Sequence, residues 1–185
     1  FGCPAKRVNG HGGGSFMLQD PETLYQVVKA VRESLASNIP LSAKMRLGYL
    51  DEDLFFENLE AIEKAGADTL TIHGRTKKDG YGPAARWEKI GEAVKRSKMT
   101  IIANGDIQDR ASLERCMAIT GCSHFMIGRG SLSNPFIFRE LKGGASGSLS
   151  ELFELIELYI NELLQHYDDF ATLGRIKQWS AHLRR

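Results

Sequence analysis

Thr100-Ile101-Ile102-Ala103-Asn104-Gly105-Asp106 is a short β-branched run that breaks on an amide, a glycine and an acid. Such a run, bounded by a turn signal, reads as a buried strand. A helix follows from near Ala111 to Ile119. The same unit stands upstream, where Thr69 to His73 leads to a helix near Trp87 to Val94. It stands there once more, where Leu41 to Leu47 runs into Gly48. The helix after that strand carries Phe55, Leu59 and Ile62 on one face and stops at Gly66, a natural position just past a helix end. Downstream, His124 to Ile127 runs into Gly128-Arg129-Gly130. Strands alternating with helices at intervals of about thirty residues imply an α/β fold with a parallel sheet. Ahead of them, Asp20-Pro21-Glu22 reads as a helix cap, with Leu24, Val27, Val28, Val31 and Leu35 at helical spacing.

The chain has 185 residues, 42% of them hydrophobic and 25% charged, which suits a globular protein with one sizeable core. No stretch reaches the roughly 20 apolar residues of a membrane span, so a cytoplasmic protein is expected. A net charge of +1 is no global footprint for nucleic acid. Yet Arg175, Lys177, Arg184 and Arg185 form a basic tail without acids. Cys3, Cys116 and Cys122 make an odd count with no C-x-x-C pair, so neither a disulfide framework nor a zinc site is indicated. Lys142 to Gly147 is a glycine-rich break. It divides the chain into an α/β part over residues 1–142, a linker over 143–148 and the start of a helical domain over 149–185. Ser148-Leu149-Ser150-Glu151 offers a capping box for the first of two amphipathic helices there.

The strand ends collect Lys44 and Arg46, then His73, Gly74 and Arg75, then Asn104, Gly105 and Asp106, then Gly128, Arg129 and Gly130. In parallel α/β folds ligands bind at this edge, and barrels grip phosphate in the loops after their last strands. Singly, each cluster has a plain reading: Asn104-Gly105 makes turns, Gly128-Arg129-Gly130 is a tight turn with a solvated arginine, and His73 is a hydrogen-bonded structural histidine. Lys44 differs, because a lysine at the inward end of a strand calls for an anionic partner. Four such clusters at four successive strand ends argue for one site. Cys116 and Cys122 read as structural, Trp179 as a core aromatic of the helical part.

The chain opens on Phe1-Gly2-Cys3-Pro4-Ala5-Lys6-Arg7-Val8-Asn9-Gly10-His11-Gly12-Gly13-Gly14, which presents a thiol on a stiff Gly-Cys-Pro corner, followed by two cations and then glycines.

Gly2-Cys3-Pro4 with its glycine loop, Ala43 to Gly48, His73 to Thr76, Ala103 to Ile107 and Met126 to Gly130 together resemble the tRNA-dihydrouridine synthases. The motifs run from Phe1 to about Pro135 in the family's order. The tail from Gly174 through Arg185 resembles the bacterial subfamily that acts on uridine 16 of the tRNA D-loop. The resemblance implies the C-terminal half of an FMN-binding (β/α)₈ TIM barrel followed by helices of a tRNA-binding domain. It makes Cys3 the proton donor and puts Lys44, His73, Asn104, Gly105, Asp106, Gly128 and Arg129 at FMN, the last two near its phosphate. NADPH would reduce the flavin, hydride would pass to C6 of an extruded uracil, and Cys3 would protonate C5. A free thiol titrates at about 8.5, so the protonated form suits a general acid. Lys6, Arg7, Arg46, Arg175 and Lys177 are the candidate tRNA contacts.

The family has further strands ahead of the Gly-Cys-Pro loop, so this polypeptide is read as a piece of a longer chain. As a half-barrel it is expected to bind flavin poorly and turn over weakly, unless two copies pair through open edges. Two other classes stay open at this point: another phosphate-binding TIM-barrel oxidoreductase, which would not need Cys3, and a non-catalytic RNA-binding half-barrel.

Overall fold

The computed structural model describes residues 1–183; Arg184 and Arg185, part of the basic tail, lie outside the described residues. In chain order the elements begin with a short helix α1 (Lys6–Asn9), a 3₁₀ segment (Gly14–Gln19), α2 (Pro21–Ser34), β1 (Ser42–Arg46), α3 (Phe55–Lys64) and β2 (Thr69–His73). They continue with α4 (Trp87–Arg96), β3 (Thr100–Asn104), α5 (Arg110–Thr120), β4 (His124–Met126), α6 (Arg129–Ser133), α7 (Ile137–Leu141), α8 (Leu149–Leu164) and α9 (Asp169–Leu183). The strands form one parallel sheet in the order β1-β2-β3-β4. This is an α/β architecture, part of a TIM barrel with a helical region after it.

The sequence signals act as local chemistry requires. Asp20 Oδ1 accepts from the backbone N–H of Glu22 at 3.1 Å and of Thr23 at 3.4 Å, with Pro21 opening α2. The helix α3 ends at Ala65, and Gly66 follows with φ +95°, the left-handed conformation that a glycine adopts without strain. The Ser148–Glu151 capping box starts α8. Two pieces of the opening stretch, α1 and the 3₁₀ segment, were not expected from the sequence. Neither has an apolar period, and their form is set by contacts described below.

The chain divides into two compact units: Phe1–Asp106 with Glu114–Met126, and Ile107–Leu113 with Ile127–Arg185. In the first, α2 packs on α3 and α4 on β3 around a core that includes Leu24, Met45, Phe55, Ile62, Leu70, Ile72 and Ile90. Burial of such side chains contributes about 1.5–3 kcal/mol each. Cys116 and Cys122 are buried, as their structural reading requires. In the second unit α9 packs on α6 and α8. Trp179, read as a core aromatic, is half-buried: it donates to Leu132 O at 3.0 Å and meets the edge of Tyr159. Among the described residues no helix is long and apolar enough to cross a membrane, and no cluster of side chains could hold a metal ion.

Candidate active site

The parallel register decides which side chains meet. Arg46 stands level with His73, and His73 with Asn104, so the last residues of β1, β2 and β3 form one row at the carboxyl edge. Side chains alternate across a strand, so Lys44 shares the face of Arg46. Its Nζ reaches over β2 to donate to Asn104 Oδ1 at 3.0 Å. Asn104 Nδ2 in turn donates to Met126 O at 2.8 Å. One amide thus links β1 to the end of β4.

The anionic partner that the sequence reading calls for at Lys44 is not a carboxylate of the chain: among the described residues none pairs with it, and the neutral Asn104 oxygen accepts from it. A half-buried ammonium held only by an amide is held loosely as a charge, and burial, with Arg46 nearby, lowers the Lys44 pKa. His73 is buried, and its pKa is pushed down to about 3 by burial first and then by Arg46, Lys44 and Arg75. It is a neutral imidazole over the whole physiological range. Its ring lies against Gly105, where an added Cβ would come within 3.2 Å of Cδ2 and 2.8 Å of Ala85 Cβ. Gly105 also has φ +123°, so no side chain is tolerated there.

Arg46 is the hub of the row. Its Nε donates to Gly2 O at 2.9 Å, and its Nη1 to Thr76 O at 3.0 Å and Gly80 O at 3.3 Å. The guanidinium lies 5.6 Å from the Tyr81 ring centre, and Tyr81 lies 6.2 Å from the His73 ring. Arg46 therefore ties the opening loop to the loop after β2. The backbone N of Phe1 adds a bond to Lys44 O at 2.7 Å. Cys3 sits on this loop with an exposed side chain.

Arg75 and Asp106 form a second layer. Arg75 Nη2 donates to both carboxylate oxygens, at 2.8 and 2.6 Å, and Nε donates to Pro83 O at 2.6 Å. Asp106 Oδ2 also accepts from Ala85 N at 2.8 Å. Asp106 holds φ +57°, unusual for a residue with a side chain, and these bonds hold it there. Its carboxylate is therefore turned to the loop after β2. Arg86 completes the arrangement by pairing with Glu52 and with Asp79.

Other sequence candidates fall elsewhere. Lys6 and Arg7 are exposed on α1. Gly128 and Arg129 belong to the second unit, at the start of α6, where Ser131 Oγ donates to Gly128 O at 2.7 Å. Arg175 and Lys177 are exposed on α9, with Arg175 4.1 Å from the Tyr167 ring. The residues that sequence reasoning missed are Tyr81, Asn9 and Ser15. Tyr81 carried a signal, an aromatic between Gly80 and Gly82 in a strand-to-helix loop.

Comparison with known proteins bears on this arrangement. The family model described as dihydrouridine synthase matches residues 1–184. A tRNA-dihydrouridine(16) synthase of Shewanella oneidensis is 44% identical over 186 residues, covering 100% of this chain and 59% of that protein. One from Haemophilus ducreyi is 42% identical over 184 residues, covering 98% of this chain and 57% of its own. One from Escherichia coli K12 is 41% identical over 186 residues, covering 100% and 59%. The chain thus spans less than two thirds of the length of these relatives. With a family model matched almost end to end and relatives above 40% identity, the chain belongs to the dihydrouridine synthase family.

Proposed function

We propose that the full-length protein reduces uridine 16 in the D-loop of tRNA to 5,6-dihydrouridine, with Cys3 as the proton donor. The observation that carries this reading is the pairing of an exposed thiol with a carboxylate-poor cationic row. Lys44 donates to an amide oxygen and Arg46 to backbone carbonyls, with Tyr81 also bonded to Arg46 and neither cation in an ion pair among the bonds described, and His73 beside them is uncharged. Such a donor set fits FMN, whose ring becomes electron-rich on reduction and is stabilised by nearby cations. Lys44, His73, Asn104 and Gly105 would hold the ring, and Asp106 would act by fixing their loop. The assignment of Gly128 and Arg129 to the phosphate rests on the sequence motif.

FMN, recharged by NADPH, would supply the hydride taken up at uracil C6. The chain's own residues then do the rest. Cys3 Sγ–H gives its proton to C5, on a loop whose Gly2 carbonyl is bound by Arg46. Arg46 and Tyr81, stacked at the same edge, would orient the base. The target must leave its stack, at a cost of a few kcal/mol, and Lys6, Arg7, Arg175 and Lys177 would offset that through phosphate contacts.

Cys3→Ala in the full-length protein tests the reading. Dihydrouridine formation should fall by about 10²–10⁴-fold, the usual share of a general acid, while flavin absorbance is retained. Unchanged turnover would reject it.

A further inference from the structure

We infer that Asn9 and Ser15 are positioning residues for Cys3: they fix its carbonyl so that only the side-chain torsion of the thiol is left free. This rests on the reading of Cys3 as the proton donor. The Cys3 carbonyl accepts from Ser15 N at 3.0 Å, from Ser15 Oγ at 2.9 Å and from Asn9 Nδ2 at 2.9 Å. A carbonyl has two lone pairs, which the Ser15 N–H and the Asn9 amide can fill, with the single Ser15 hydroxyl proton shared between Cys3 O and Asn9 Oδ1. The second amide proton of Asn9 goes to Gly13 O at 3.0 Å, and Asn9 Oδ1 lies 3.1 Å from Ser15 Oγ. Asn9 is 8% exposed and Ser15 0% exposed, so the bonds form away from water.

The loop needs such bonds because the proline corner and α1 stiffen only its first half. Gly10, Gly12, Gly13 and Gly14 leave the chain free to adopt many conformations. Gly14, at φ +61°, lets the loop close: a Cβ there would fall 2.7 Å from Cys3 O and 3.0 Å from Cys3 Cβ. On the other side of the Cys3 Cα, the Gly2 carbonyl is held by Arg46. Both peptide planes flanking Cys3 are therefore pinned, one by Arg46 and one by Asn9 with Ser15. A general acid must sit within hydrogen-bond reach of the atom it protonates, and a displacement of about 1 Å can cost about 100-fold in rate.

The test compares Asn9→Ala and Ser15→Ala with the parent in the full-length protein, alone and combined with Cys3→Ala. Two readouts are taken: turnover on tRNA, and the rate at which iodoacetamide alkylates each cysteine. Asn9→Ala should lower kcat by about 100-fold at unchanged KM. It should lower nothing further when Cys3 is already alanine, since it acts only through Cys3. Alkylation of Cys3 should quicken by about tenfold as the loop opens, while buried Cys116 and Cys122 stay unlabelled and report an intact fold. If Asn9→Ala exposes those two cysteines, Ser15→Ala, which keeps its N–H bond to Cys3, is read instead by the same criteria. An unchanged Cys3 labelling rate, or an equal loss of turnover in the Cys3→Ala background, overturns the inference. Unchanged turnover in Cys3→Ala alone overturns the proton-donor reading instead, and the labelling rate still decides whether Asn9 and Ser15 fix Cys3.

Discussion

Arg46 and Arg75 stand at the same end of the sheet and are equally buried, each 3% exposed, yet their surroundings are opposite. Arg75 grips a carboxylate with two bonds, and its pair with Asp106 closes on itself. Arg46 binds three backbone carbonyls and the Tyr81 side chain, and its charge lowers the pKa of Lys44 beside it. One arginine is neutralised inside the fold and serves as scaffold. The other has no bonded carboxylate among the described residues, and Asp79 acts on it only through its field. Charge compensation, more than burial, separates structure from site at this edge.

The largest effect should come from breaking the compensated layer. Asp106→Ala leaves Arg75 buried without its partner and should destabilise the protein by about 3–5 kcal/mol in a denaturant titration. A loss under about 1 kcal/mol would erase the distinction between the two arginines.

Acid probes the uncompensated row. His73 has a folded pKa of about 3, below its ordinary 6.5, so it binds a proton more readily unfolded than folded. Its contribution is complete above pH 6.5 and is lost as pH falls toward 3, by about 1.4 kcal/mol per pH unit. Between pH 7 and pH 5 the parent should lose about 2 kcal/mol that His73→Asn does not lose. Parallel curves for the two proteins would mean that neither burial nor the neighbouring cations hold His73 neutral in the folded chain.

Lys44→Met should have the smallest effect on the fold. It removes one hydrogen bond to Asn104 but also a desolvated charge, so stability should stay within about 1 kcal/mol of the parent. Flavin absorbance of the full-length protein should nonetheless be lost. A strongly destabilised Lys44→Met variant would move Lys44 into the scaffold beside Arg75.

The fold was legible where the chain obeys a local period. Strands Thr69–His73 and Thr100–Asn104 were read at their observed bounds, because β-branched runs end there on polar residues. The helix caps at Asp20 and Ser148 were legible for the same local reason. The polar row was visible as residue types at strand ends, but its pairings were not. That Lys44 takes an amide and Asp106 takes Arg75 depends on register and on loops that only the folded chain brings together. Asn9 and Ser15 were hidden by their glycine-rich surroundings, where no pattern marks a buried polar side chain.

The strand order β1-β2-β3-β4 has a consequence for how such a chain is made. Among the described strands β2, β3 and β4 each pair with the strand synthesised just before, so growth of this part of the sheet follows the direction of translation. As β2, β3 and β4 leave the ribosome in turn, the edge on which each docks is already in place.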